Sequence, residues 1–311
     1  MKRKPAFGLF VLLVLVVSTC GVPALAAETE SYTRQEDVIY GRKDGMALTM
    51  DVLAPKKDPN GAAVVWVVSG GFFSSHEWIN AGFVSEFLDR GYTVFAVVHG
   101  SQPRYTIPDA VADLNRSVRY IRSHAKDFKI DPNRIGITGA SAGGHLSLMI
   151  GTAGDPGKLI AKDAVERTSS RVQAVACFFP PADFLNYGTP GNVALGENLL
   201  KGFQAPFQFR ELDPKTACYV QITDKKRALE IGRQISPVYH VTKDDPPTLI
   251  IHGDADKLVP IQQAELIMAK FKEAGVPAEL VVKKGAAHGW LTIGQDQKTI
   301  ADWFDKYLKK P

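Results

Sequence analysis

Short runs of nearly unbroken Val, Ile, Leu and Ala constrain this chain more than any other feature. They lie at 48–53, 63–68, 92–98, 135–138, 172–178, 248–252 and 279–282. A strand with one face in water alternates apolar and polar residues. A strand covered on both faces does not, and most of these runs read that way, as in a parallel sheet. Between them the apolar spacing changes. From 109 to 128, Val111, Leu114, Val118, Ile121, Ala125 and Phe128 recur at steps of three and four, which makes one buried helical stripe. Pro108 stands at that helix start, where its missing N–H costs nothing. Arg116, Arg119 and Arg122 fall off the stripe and are expected to face water. A second helix is predicted over 262–273, stopped by Gly275 and Pro277, and a third over 297–308. Strand and helix in alternation imply an α/β fold: a doubly wound, mostly parallel sheet with helices on both faces. The stretch 181–245 breaks the rhythm. It is rich in Gly, Pro and aromatics, shows no clean strand, and is expected to be a cap-like insertion over the carboxyl edge of the sheet.

The 311 residues suffice for one such domain, and 45% hydrophobic with 23% charged residues is a globular balance that excludes disorder. Three of the charges behind the net +4 are Lys2, Arg3 and Lys4. Without them the 37 basic residues fall to 34 against 33 acidic, and no basic run remains to follow a nucleic acid. The three precede an apolar run, 7–17, and then Ala24-Leu25-Ala26. That order describes a secretory signal peptide, 1–26, with cleavage after Ala26, export, and 27–311 as a single catalytic domain. The run is short for a stable membrane span. An uncleaved anchor and lipidation at Cys20 are the competing readings. Cys177 sits in an apolar run and reads as a small buried hydrophobe. Whether it is bridged to Cys218 in an oxidising compartment is open.

The chemistry is signalled by Gly139-Ala140-Ser141-Ala142-Gly143-Gly144-His145, which follows one strand and opens an apolar helix. In G-x-S-x-G the strand turns into the helix so tightly that the residues flanking the serine must lack bulk. The helix N-terminus then favours an anion forming near Ser141. A serine hydroxyl needs an adjacent base. Two later strand ends can supply a carboxylate and then the base, His288. The run 248–252 leads into Asp254 and Asp256, and the run 279–282 leads into His288. Catalytic groups of open α/β sheets gather beyond the carboxyl ends of strands. Ser69-Gly70-Gly71-Phe72-Phe73, after the run 63–68, is the expected oxyanion loop, with the N–H groups of Gly71, Phe72 and Ala142 as donors. His252 reads as a core residue and His145 as a buttress of the serine turn. His76 and His99 follow strands, as pocket lining or plain loop residues. No cluster has metal-ligand spacing, so no catalytic metal is expected.

These stretches resemble the BD-FAE-like branch of the α/β-hydrolases, relatives of feruloyl and acetylxylan esterases and of the hormone-sensitive-lipase group. The most specific matches are the run 128–136, the run 139–145 and His252-Gly253-Asp254-Ala255-Asp256-Lys257-Leu258-Val259-Pro260. The resemblance implies an α/β-hydrolase fold and a Ser141, Asp256, His288 triad, since the family places its acid three residues before Val259. It also implies no cofactor and an ester substrate, either a small molecule or carbohydrate-linked. One departure stands out. The family loop usually reads His-Gly-Gly-Gly-aromatic, and here Ser69 and Phe72 replace the histidine and the third glycine. A bulky Phe72 is expected to narrow the acyl side. Two other functions compete with this reading. A prolyl-oligopeptidase-type peptidase shares the catalytic domain but usually carries a large propeller ahead of it. A non-catalytic binding protein on this scaffold typically lacks members of the triad.

Overall fold

The computed structural model describes residues 31–309. The expected signal peptide and Cys20 lie outside the described residues. In chain order the strands are β1 (Tyr32–Lys43), β2 (Met46–Pro55), β3 (Ala63–Val67), β4 (Thr93–Val97), β5 (Ile135–Ala140), β6 (Ala174–Phe178), β7 (Arg210–Asp213), β8 (Cys218–Gln221), β9 (Thr248–Gly253) and β10 (Ala278–Lys283). The helices are α1 (Ser85–Asp89), α2 (Ile107–Ser123), α3 (Ala142–Ala153), α4 (Lys225–Gln234), α5 (Gln262–Ala274) and α6 (Gln297–Leu308). Eight strands form one sheet in the order β1-β2-β4-β3-β5-β6-β9-β10. The pairs β1–β2 and β2–β4 are antiparallel, and the pairs from β4 through β10 are parallel.

The period of two along each strand divides the core. Val65 and Val67 of β3 pack on one face with Leu114 of α2, Leu146 of α3 and Phe271 of α5. Val64 and Trp66 of the same strand pack on the other, with Phe87 of α1 and Phe304 of α6. Both faces are therefore apolar, and every residue of β3, β4 and β6 is buried. This is the physical reason the sequence runs do not alternate.

Strand β1 gave no apolar signal. It is an edge strand with most of its side chains in water, so it needs few apolar residues. The insertion also differs from expectation. It contains a hairpin, β7–β8, and helix α4. Hardly any residue of the hairpin is covered, so it carries no buried run to read. The rest of the insertion folds back on the carboxyl ends of β6 and β9, where Tyr187 Oη donates to the Leu258 carbonyl at 3.0 Å. Cys177 is buried in β6 and Cys218 is exposed on β8, and both are free thiols. Helix α2 stops at Ser123, five residues short of the predicted end, yet Phe128 still packs on Phe95 with ring centroids 5.0 Å apart.

The three arginines of α2 are a correction. Arg119 is buried, bonded to Asp155 at 2.5 and 2.6 Å, to Glu166 at 3.0 Å and to the Thr168 carbonyl. Arg116 reaches Asp163, Glu166 and the Tyr40 carbonyl, and Arg122 reaches the carbonyls of Pro132, Ser169 and Arg171. The helical period shows which face meets the sheet. It carries no information about the 155–171 loop that folds over the other face.

Candidate active site

Ser141 sits between β5 and α3 at φ 54° and ψ −116°, a conformation that non-glycine residues rarely adopt. The turn is as tight as the motif requires. A Cβ on Gly139 would lie 2.5 Å from the Gly143 carbonyl carbon, and one on Gly143 would lie 2.8 Å from the Val67 carbonyl oxygen. Strain of this kind persists where the surroundings over-determine it. Here the Ser141 N–H donates to Phe178 O at 3.0 Å and the Ser141 carbonyl accepts from His145 N at 2.8 Å.

The ends of β9 and β10 bring the other expected groups to it. His288 Nε2 lies 2.9 Å from Ser141 Oγ, and its Nδ1 lies 2.6 Å from Asp256 Oδ2. A carboxylate only accepts, so Nδ1 carries the proton and Nε2 is free to receive one from the serine. Asp256 Oδ1 accepts from the N–H groups of Leu258 and Val259, both at 2.9 Å. Burial pushes the Asp256 carboxyl up. The nearby His252 ring, with the hydrogen bonds from His288 and the Val259 N–H, outweighs this and holds it well below the usual carboxylate range. Asp254 points elsewhere, accepting from Gly285 N at 2.6 Å. Gly253 lets the two loops touch: a Cβ there would lie 2.2 Å from the Ala286 carbonyl oxygen.

On the other side of Ser141, Gly71 has φ 55° and Phe72 φ 65°. Among the described residues no backbone acceptor takes either N–H. Ala142, as the first residue of α3, has no intrahelical acceptor for its own. These are the three groups expected to face a substrate oxygen. The Phe72 ring is turned into the core, against His145 and Phe207 at centroid distances of 5.4 and 6.3 Å. This differs from the expected narrowing of the acyl side by Phe72. Phe203 is the ring that covers the loop, with carbons 2.7 and 2.9 Å from where a Gly71 Cβ would be.

The remaining histidines separate by environment. His145 is buried with Nε2 donating to the Ile235 carbonyl at 2.7 Å, and burial pushes its pKa down to about 4. His252 is buried, 2.8 Å from the Val259 carbonyl and 3.6 Å from Asp256 Oδ2. His76 reaches Asp51 at 3.2 Å, and His99 bonds Ser69. The contact between His99 and Ser69, 30 residues apart, has no sequence signature. Among the described residues, Glu36, Asp51 and His76 could offer donors to a cation. Two of these already pair with a guanidinium: Arg34 lies 2.5 Å from Asp51 and 3.4 Å from Glu36.

A mostly parallel sheet with helices on both faces and a strained serine at the strand-helix turn makes this an α/β-hydrolase fold. A family model, BD-FAE, matches residues 50–271, and the chain belongs to that family. It is 30% identical over 240 residues to the probable carboxylic ester hydrolase LipM of Mycobacterium tuberculosis, an alignment covering 75% of this chain and 50% of LipM. A 141-residue stretch is 31% identical to the acetylxylan esterase of Xylanibacter ruminicola, covering 42% of this chain and 27% of that protein. Among solved structures, a truncated carbohydrate esterase from gut microbiota superposes with a TM-score of 0.74 at 26% identity, covering 91% of this chain and 99% of that one. The chain spans about half the length of the curated relatives it matches. No helix among the described residues is long and apolar enough to cross a membrane.

Proposed function

We propose that this chain is a serine carboxylic-ester hydrolase acting through an acyl-enzyme on Ser141. The observation that carries the reading is the hydrogen-bonded chain Ser141–His288–Asp256, with its 2.9 and 2.6 Å links. Ser141 Oγ attacks the ester carbonyl while His288 Nε2 takes its proton. Asp256 holds the tautomer and stabilises the imidazolium. The N–H groups of Gly71, Phe72 and Ala142 receive the developing oxyanion. His288 then returns the proton to the leaving alcohol, and water releases the acyl group by the same steps. Ser141→Ala and His288→Ala are each expected to lower kcat by about 10⁴ to 10⁶. The assay is p-nitrophenyl acetate hydrolysis, with fluorophosphonate labelling of Ser141 as a check. Near-normal turnover in either folded variant would falsify the assignment.

The substrate class that fits is a short-acyl ester, carried on a sugar. Its support is the resemblance to esterases named for carbohydrates and the character of the insertion. A lipase lid needs a large apolar helical face to shed onto lipid. The insertion's α4 carries Lys225, Lys226, Arg227, Glu230 and Arg233 and buries only Ile231 and Gly232. A p-nitrophenyl ester series is expected to peak at short chains, and acetylated xylo-oligosaccharides to be turned over. A maximum beyond about ten carbons, or activation at an oil-water interface, would point to a lipase. The secretory leader ending at Ala26 stands as a proposal too, tested by the intact mass of exported protein; a lipid-modified Cys20 at the mature N-terminus would overturn it.

A further inference from the structure

Strands β3 and β4 are parallel neighbours, and just beyond their carboxyl ends Ser69 and His99 meet. His99 is 3% exposed. Its Nδ1 lies 2.8 Å from the carbonyl oxygen of Gly100. A carbonyl only accepts, so Nδ1 carries the proton and Nε2 presents a lone pair. The Ser69 hydroxyl, 2.8 Å away, donates to it. The backbone N–H of His99 donates to Ser74 Oγ at 3.1 Å, and that hydroxyl donates to the Val68 carbonyl at 2.6 Å. One residue thus holds both stems of the 69–74 loop, Ser69 through its ring and Ser74 through its backbone.

Between those stems lie the two consecutive positive φ angles, at Gly71 and Phe72. A phenylalanine in that region is strained and stays there only if its surroundings hold it. Gly70 and Phe73 close the turn with bonds of 3.0 and 2.9 Å, and Gln102 N donates to the Phe72 carbonyl at 3.2 Å. His99 is itself fixed. The Gly100 N–H donates to Asp113 Oδ2 at 2.8 Å, and Lys43 reaches the same oxygen at 2.6 Å. Burial, with Lys43 nearby, pushes the His99 pKa down to about 4, so the ring remains a neutral acceptor.

We propose that His99 is a positioning residue: through Ser69 it aims the N–H groups of Gly71 and Phe72 at the reacting oxygen. This rests on the ester-hydrolase reading. Removing an oxyanion donor outright costs about 10²–10³ in kcat. Loosening the frame that aims two of them is expected to cost about tenfold in Ser69→Ala, with KM within about twofold. Ser69→Thr keeps the hydroxyl and is expected to retain most of the wild-type kcat. In Ser69→Ala, amide hydrogen exchange at Gly71 and Phe72 is expected to quicken. A Ser69→Ala protein with wild-type kcat and wild-type exchange overturns the proposal, even if its Tm falls. An equal loss of kcat in Ser69→Thr also overturns it. Absence of turnover in the wild-type chain removes the ester-hydrolase reading and the positioning role with it. The exchange measurement then still reports whether the pair holds the loop.

Discussion

Asp254 and Asp256 sit two residues apart in one loop, and only Asp256 is buried and meets His288. Asp254 is spent on the Gly285 N–H, as a turn cap. The two should therefore fail differently when the charge is removed. Asp256→Asn leaves the geometry but favours the wrong imidazole tautomer, and kcat is expected to fall by about 10⁴. Asp254→Asn is expected to keep kcat within a few-fold and to lower Tm slightly. Kinetics and melting curves of both variants decide the matter, and a reversed ranking would make Asp254 the acid. Ser141 and His288 were legible because motif, strand context and chain order agree. For the acid, chain order left both aspartates open. Only the family spacing favoured Asp256. His99 was legible as a residue after a strand. Its bond to Ser69 was not, because it depends on which strands become neighbours.

At the scale of elements, α2 shows where periodicity stops being informative. Its apolar stripe meets the sheet as expected, while its arginine face clamps the 155–171 loop. Arg119→Met removes the buried guanidinium and leaves Asp155 without its ion pair, while Glu166 keeps Arg116; the two carboxylate side chains are 46% and 24% exposed. A partner lost from a fully buried pair costs about 3–5 kcal/mol. These carboxylates can rehydrate in part, so a loss of about 2 kcal/mol is expected. For a domain of this size that lowers Tm by roughly 5 °C. A Tm change under about 1 °C would show that the clamp contributes nothing. The insertion illustrates the opposite case. Phe207 and Phe209 are buried and join the main core, so the aromatic wealth of 181–245 largely packs it onto the sheet. Phe203 alone among these three stays half-buried, over Gly71.

For the whole molecule, acid stability follows from what burial has done to titrating groups. His99 and His145 are held neutral, with burial pushing each pKa down to about 4. In the unfolded chain the same rings take up protons near about 6.5. Between those values the unfolded state binds protons that the folded state refuses, so stability falls as pH drops from about 6.5 to 4. A second loss begins below about 4. Burial raises the carboxyls of Asp256 and Asp305, but hydrogen bonds to their partners dominate and hold both low. Their contribution is present above the unfolded carboxylate value and lost as pH falls through the folded one. Tm measured across pH 3–8 is expected to fall in these two stages; a flat profile between about pH 7 and 5 would mean that the two histidines do titrate in the fold.

The buried parallel strands, the faces of the main helices, the serine turn and the order in which its partners arrive can all be read from the residues alone. Each of these is local: a run, a period, a motif at a strand end. Tertiary structure alone decided what lies opposite each face. It buried Arg119, turned Phe72 inward, paired His99 with Ser69, and separated Cys177 in the sheet from Cys218 on an exposed hairpin. The pairing of His99 with Ser69 depends on β3 and β4 lying side by side and parallel, in a sheet whose order, β2-β4-β3-β5, is not the chain order. A hydrogen bond between residues 30 apart forms only once the sheet has set them side by side, and no periodicity within either segment records it.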